Sequence, residues 1–179
     1  MVDKRKLYDI LQQHPHETEQ IRQQIDSLSK HNLLRSLQYV PLTKTWDKKW
    51  KLSTKPHELY LIHFMMETRD FRLVYYFLLQ DGIDVNVTNH LGETALMYML
   101  RTIPRSEEKK VARMTHTLLR FGIRLDVEDI YGRTAIELAF MYGKIYAYEI
   151  LLPYYLDPTV TQTKELIEWY SQSNGSPSC

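Results

Sequence analysis

Apolar positions fall at helical spacing along most of the chain. Leu7, Ile10 and Leu11 share one face of a short helix opened by Asp3. Ile21, Ile25 and Leu28, then Leu33, Leu34 and Leu37, continue a 3.6-residue stripe that predicts a second helix, with Pro15 at its first position and Pro41 at its end. Residues 42–56 carry no such stripe and read as an extended connection. Farther on, Leu61, Ile62, Met65 and Met66 predict one helix and residues 69–80 another. After Leu152, Pro153 and Pro158 are predicted to stop the pattern. Thr161 or Thr163 then opens a last helix through Leu166, Ile167 and Trp169, placed to cover the end of whatever precedes it.

The six glycines organise the middle of the chain. Gly82 and Gly122 are forty residues apart, as are Gly92 and Gly132, and Thr94 and Thr134 keep the same step. Leu78-Leu79 recurs at Leu118-Leu119 and again, thirty-three residues on, at Leu151-Leu152. The threonine-to-leucine distance is seventeen in the last copy and twenty-four in the middle one. A 33-residue unit with a seven-residue insertion around residues 101–110, where Pro104 interrupts the helical pattern, accounts for all of these steps. Gly82 and Gly122 suit left-handed positions after a helix, and Thr94 and Thr134 suit N-caps. Thr134 with Glu137 fits a capping box. Ser106 is expected to cap the helix that begins Glu107-Glu108-Lys109-Lys110.

The segments Gly92-Glu93-Thr94-Ala95-Leu96 and Gly132-Arg133-Thr134-Ala135-Ile136 resemble the G-x-T-P-L of ankyrin repeats. Those running from Leu78 to Asn86 and from Leu118 to Asp126 resemble the family's L-L-x-x-G-A-x-V-N. Five glycines fall on the family's glycine positions, Gly143 between the last two helices included. Ala95 and Ala135 stand where the family has proline, and Met97 and Glu137 where it has histidine. The resemblance covers residues 57–156 as three repeats, 57–86, 87–126 and 127–156. The first is worn, with Leu61 in the threonine slot. Residues 1–56 are then an N-terminal helical extension with a connector, and 157–179 a C-terminal capping helix and tail. The fold implied is all-α, a short ankyrin solenoid.

Composition narrows the functional classes. Twenty-three Lys and Arg against twenty-two Asp and Glu leave a net charge of +1, which gives no global field for nucleic acid or an anionic membrane. The single cysteine, Cys179, excludes an intrachain disulfide and a Cys-based zinc site. The N-terminus lacks an apolar signal region, and the run 73–79 is too short for a bilayer, so a cytoplasmic protein is expected. His14 and His16 flank a proline without ligand spacing and read as a helix start, while His63 reads as a hydrogen-bonded core residue. No P-loop, nucleophile elbow, zinc-protease or dinucleotide motif is present, so no enzyme, cofactor or small-molecule substrate is predicted.

The resemblance implies a binding module that docks a partner protein in the groove formed by hairpin tips and inner helices. Carried over by position, the groove residues are His90, Leu91, Glu93, Tyr98, Arg101, Ile130, Tyr131, Arg133, Met141 and Tyr142, with Asn89 and Asp129 also at the tips. Small stand-alone members of this kind include bacterial effectors, viral host-range factors and toxin-immunity proteins, which points to inhibition or sequestration of the partner. An effector would act in a host-cell cytoplasm. A rival from another class is a nucleic-acid site in the basic-aromatic stretch Trp46, Lys48, Lys49 and Trp50. The preferred reading of that stretch is that the tryptophans pin the N-terminal helices while the lysines stay solvated. Tyr75, Tyr76, Tyr146 and Tyr148 are expected to pack between outer helices with their hydroxyls toward water.

Overall fold

The apolar stripes read along the chain become the interior of a stack of helix pairs. The computed structural model describes residues 4–40, 42–44 and 57–156. Among these the chain is mostly helical, an all-α arrangement with two three-residue strands. The helices are α1 (Lys4–Gln13), α2 (Thr18–Lys30), α3 (Leu34–Leu37), α4 (Leu61–Glu67), α5 (Phe71–Leu78), α6 (Ala95–Thr102), α7 (Glu108–Arg120), α8 (Ala135–Met141) and α9 (Ile145–Leu156). Helices α1, α4, α6 and α8 pack in succession as one row, and α2, α5, α7 and α9 as a second. Each member of one row also packs on its partner in the other, so four pairs share one continuous core. Leu7, Leu11, Ile21, Ile25 and Leu28 are fully buried in it.

Local chemistry fixes where the helices begin. The Asp70 carboxylate accepts from the Arg72 and Leu73 amides and opens α5. The Thr94 hydroxyl accepts from the Met97 amide at 3.4 Å, and Glu137 reaches back to the Thr134 amide at 2.7 Å. These bonds satisfy donors that a helix start otherwise leaves orphaned. Gly82, Gly122 and Gly143 all take positive φ at the turns that follow or join helices. The backbone there enters the left-handed region, which costs residues with a Cβ about 1–2 kcal/mol.

Several boundaries differ from the sequence reading. The second N-terminal helix stops at Lys30, because Asn32 turns left-handed (φ 53°) and the Leu33 amide bonds back to the Leu28 carbonyl at 2.9 Å. Pro15 lies in the turn before α2, not inside it. The N-cap of α4 is Tyr60, not Leu61, and the buried outer pair is Phe77-Leu78, since Leu79 is exposed. Both shifts are by one residue, so the first repeat-like unit keeps its internal spacing and takes up the extra residue before Gly82. Ser106 caps nothing. It lies in a 3₁₀ turn (Arg105–Glu107), and the residue before α7 is Glu107. Pro153 sits inside α9, which runs on to Leu156; the missing amide deprives only the carbonyl of Glu149, whose residue faces solvent. The Tyr76 hydroxyl bonds Asp26 of α2 instead of water. The expected helix through Leu166, Ile167 and Trp169, and Asp3 and Cys179, lie outside the described residues.

The N-terminal helices are a full layer of the stack. The Asn86 side chain donates to the Gly122 carbonyl (3.2 Å) and accepts from the Arg124 amide (2.7 Å), tying one layer to the next. Gln38 does the same one layer earlier, donating to the Gly82 carbonyl and accepting from the Asp84 amide, both at 2.7 Å. Asn32 holds the left-handed position after α2 that Gly82 and Gly122 hold after α5 and α7, and the Leu28–Leu33 backbone bond matches that between Leu118 and Ile123.

The insertion binds the turns at one end of the stack. The buried Lys144 donates to the Ile103 carbonyl, and Arg105 Nε donates to the Gly143 carbonyl at 3.2 Å. The Tyr146 amide donates to Glu108 at 2.8 Å, and Glu107 bridges Arg69 and Lys110. Residues 103–108 therefore reach from the α4–α5 turn to the α8–α9 turn.

Candidate protein-binding groove

Two tips project from the opposite end, one between α5 and α6 and the other between α7 and α8. Each is built by an Asx residue. Asn89 Oδ1 accepts from the amides of Leu91 (2.9 Å) and Glu93 (3.0 Å), and Asp129 Oδ1 accepts from those of Tyr131 (2.9 Å) and Arg133 (3.0 Å). Such local bonds compete with helix and hold a turn. The Ile130 amide donates to the Leu91 carbonyl at 2.9 Å and joins the tips. Gly92 sits at this joint with φ 72°, where a Cβ would come within 3.3 Å of the Asp129 backbone. Strands β1 (Leu42–Lys44) and β2 (His57–Leu59) pair antiparallel beside the first tip, and His90 Nδ1 lies 3.2 Å from the Glu58 backbone.

Beneath the tips lies a buried polar frame. Glu93 is 1% exposed and holds Arg101 in two hydrogen bonds, one of 2.7 Å, while accepting from Asn89 Nδ2 at 2.8 Å. Burial opposes the charge on Arg101, but the bond and field of Glu93 outweigh it and raise its pKa. Asp129 holds Arg133 in the same way, at 2.6 and 2.8 Å. Burial alone would raise the Asp129 carboxyl; the bonds from the Arg133 side chain and from the Arg133 and Tyr131 amides keep it below its usual pKa. Tyr98 is buried, donates to Glu67 and stacks edge-on against His63 at 5.5 Å. Burial and the Glu67 charge both push its hydroxyl pKa upward.

His63 is the core residue expected from its apolar surroundings. Its Nδ1 accepts from the Tyr60 amide at 3.3 Å, so Nε2 carries the proton and donates to the Glu93 carbonyl at 3.0 Å. Burial lowers its pKa to about 4.

The ten predicted groove residues therefore divide by role. Glu93 and Tyr98 are buried and unavailable to a partner, because their polar atoms are committed to Arg101, Asn89 and Glu67. Arg101 and Arg133 are half-buried, each tied to a carboxylate and presenting only part of its guanidinium. The Arg133 guanidinium also lies 4.7 Å above the Tyr131 ring. His90 is exposed, and Leu91 and Tyr142 are half-buried. The accessible apolar atoms belong to Ile130 (58% exposed), Tyr131 (69%) and Met141 (57%).

The rival stretch Trp46, Lys48, Lys49 and Trp50 lies outside the described residues; its flanks, Lys44 and His57, are paired in the β1–β2 ladder. No group of three or more His, Cys, Asp or Glu suited to a metal ion is present among the described residues. No helix among them is long and apolar enough to cross a membrane. Sequence reasoning missed Phe140 and Ile145, which are exposed on the last helix pair. The signal was available: Phe140 stands six residues after Thr134, where Leu100 follows Thr94 in the preceding pair. Compared with family models and with curated proteins, the chain matches none.

Proposed function

We propose that this chain is a small ankyrin-type solenoid that binds another protein and has no chemistry of its own. The bound surface is the groove edge made by Ile130, Tyr131 and Met141, with His90, Leu91, Tyr142 and the outer atoms of Arg101 and Arg133 around it. The observation that carries the reading is large apolar side chains standing exposed on a rigid polar frame. Exposed tyrosine beside arginine is the composition of binding hot spots, and a frame that is already ordered loses little entropy on docking. Stacked layers with an amide bond between successive units support the repeat reading. A short array whose sequence carries no catalytic motif fits an inhibitor or sequestering factor of the effector, host-range or immunity kind, acting in a cytoplasm.

The test is affinity capture from the native host with the wild type and with Ile130→Ala/Tyr131→Ala/Met141→Ala. These positions are preferred to Arg133, whose loss would strand buried Asp129. A partner retained by the wild type and lost by the triple variant, with unchanged circular dichroism, supports the groove. Equal retention by both removes it.

A further inference from the structure

The last helix pair presents a face that the earlier pairs keep covered. On α6 and α7, Leu96, Leu100, Thr115 and Leu119 are no more than 1% exposed, because α8 and α9 pack over them. Taking the 33-residue step for α9 and the forty-residue step for α8, their counterparts are Ile136, Phe140, Tyr148 and Leu152. None of these four is buried by the described residues, and Phe140 is 73% exposed. Ile145, beside them, is 54% exposed. Phe140, Ile145 and Tyr148 border a shallow cavity of about 310 Å³ floored by Ala139 and Gly143. The Phe140 and Tyr148 rings lie 5.9 Å apart along it. A face of this composition on the end of a stack has the chemistry of an internal layer.

The geometry points to the chain's own C-terminal segment as the occupant of this face, with Leu166, Ile167, Trp169 and Tyr170 as the contacting side chains and Trp169 directed at the Phe140–Ile145–Tyr148 cavity. Twenty-three residues follow Leu156. The cavity lies near the start of α9, about 16 Å from Leu156 at a helical rise of 1.5 Å per residue. The nine residues from 157 to 165 span up to about 30 Å when extended, which is enough to return over the pair. The four apolar residues are spaced i, i+1, i+3 and i+4, a single apolar stripe with Lys164, Glu165 and Glu168 outside it. Phe140, Ile145 and Tyr148 are not among the groove-edge residues, so the inference does not rest on the groove binding a partner.

The test uses the full chain with Trp46→Phe and Trp50→Phe, leaving Trp169 as the only tryptophan. Its emission should be blue-shifted and protected from acrylamide, and adding Phe140→Glu should move both toward the values of a free indole. Phe140 is exposed among the described residues, so the far-ultraviolet circular dichroism should hold. Leu79→Glu, exposed next to the end of α5, serves as the control and should leave the emission unchanged. A solvent-like emission in the parent, or one indifferent to Phe140→Glu, overturns the inference. So does a blue shift that disappears on dilution together with a dimeric mass by light scattering, since a second copy would then be the occupant.

Discussion

Glu93 is the residue at which the groove account is most exposed to test, because a resemblance assigns it to binding and its surroundings assign it to the frame. Glu93→Ala removes both acceptors of the Arg101 guanidinium, whose side chain is 23% exposed, and the partner of Asn89 Nδ2. Breaking a buried ion pair from one side costs about 3–5 kcal/mol. Residual water at Arg101 places this site at the low end, and the orphaned Asn89 donor adds about 1 kcal/mol. The expected loss is therefore about 3–4 kcal/mol, a large part of the 5–15 kcal/mol typical of a domain. Urea unfolding followed by circular dichroism reads it as a fall in midpoint at constant slope. The double variant Glu93→Leu/Arg101→Met should recover most of the loss, because two apolar residues of similar volume leave no stranded charge. Tyr131→Ala, at an exposed position, should stay within about 0.5 kcal/mol of wild type. A Glu93→Ala loss below about 1 kcal/mol would mean that Glu93 is not part of the buried frame and is free to meet a partner.

Other predictions follow from the same structure. Gln38→Ala and Asn86→Ala each remove an inter-layer amide bridge and should cost about 1–2 kcal/mol by urea unfolding; Asp126→Ala, whose ion pair with Arg124 is exposed, should cost nothing measurable. His63 has a folded pKa of about 4 against 6.5 for the free side chain, so the unfolded chain binds the extra proton between these values. Stability from this group is full above pH 6.5 and falls with pH toward 4, by about 3 kcal/mol in all. His63→Gln should flatten that part of the pH profile, and an unchanged slope would count against the buried neutral histidine. Oligonucleotide binding through Trp46, Lys48, Lys49 and Trp50 would weaken steeply with salt. No salt-dependent binding is expected in a titration from low to physiological ionic strength.

The glycine turns and the threonine helix starts were legible because their signals are local. Gly82, Gly92, Gly122, Gly132 and Gly143 all have φ between 62° and 79°, a backbone state that the residue type announces without reference to the rest of the fold. Thr94 and Thr134 announce helix starts for the same reason. The N-terminal layer was not legible as a layer, because Asn32 replaces the glycine and Gln38 replaces the asparagine at a different spacing. Nothing in one sequence links Gln38 to Gly82. Burial of Glu93 was likewise hidden, since a carboxylate is usually exposed and its partner Arg101 lies eight residues away across a cap. The Asx residue four before it, repeated at Asp129 before Arg133, was the visible part of that arrangement. Proline misled at position 153, where a helix near its end tolerates the lost hydrogen bond.

Partner binding, as proposed, belongs to the exposed apolar groove edge and not to the frame or the outer row. The direct measurement is the Kd of the captured partner, by calorimetry, for wild type, Tyr131→Ala, Met141→Ala and Leu79→Ala. Leu79 is 54% exposed next to the end of α5 in the other row, which makes it a matched apolar control. Tyr131→Ala or Met141→Ala should weaken binding at least tenfold, about 1.4 kcal/mol, and Leu79→Ala should not weaken it. Equal affinities for all four proteins, or a loss confined to Leu79→Ala, would contradict it.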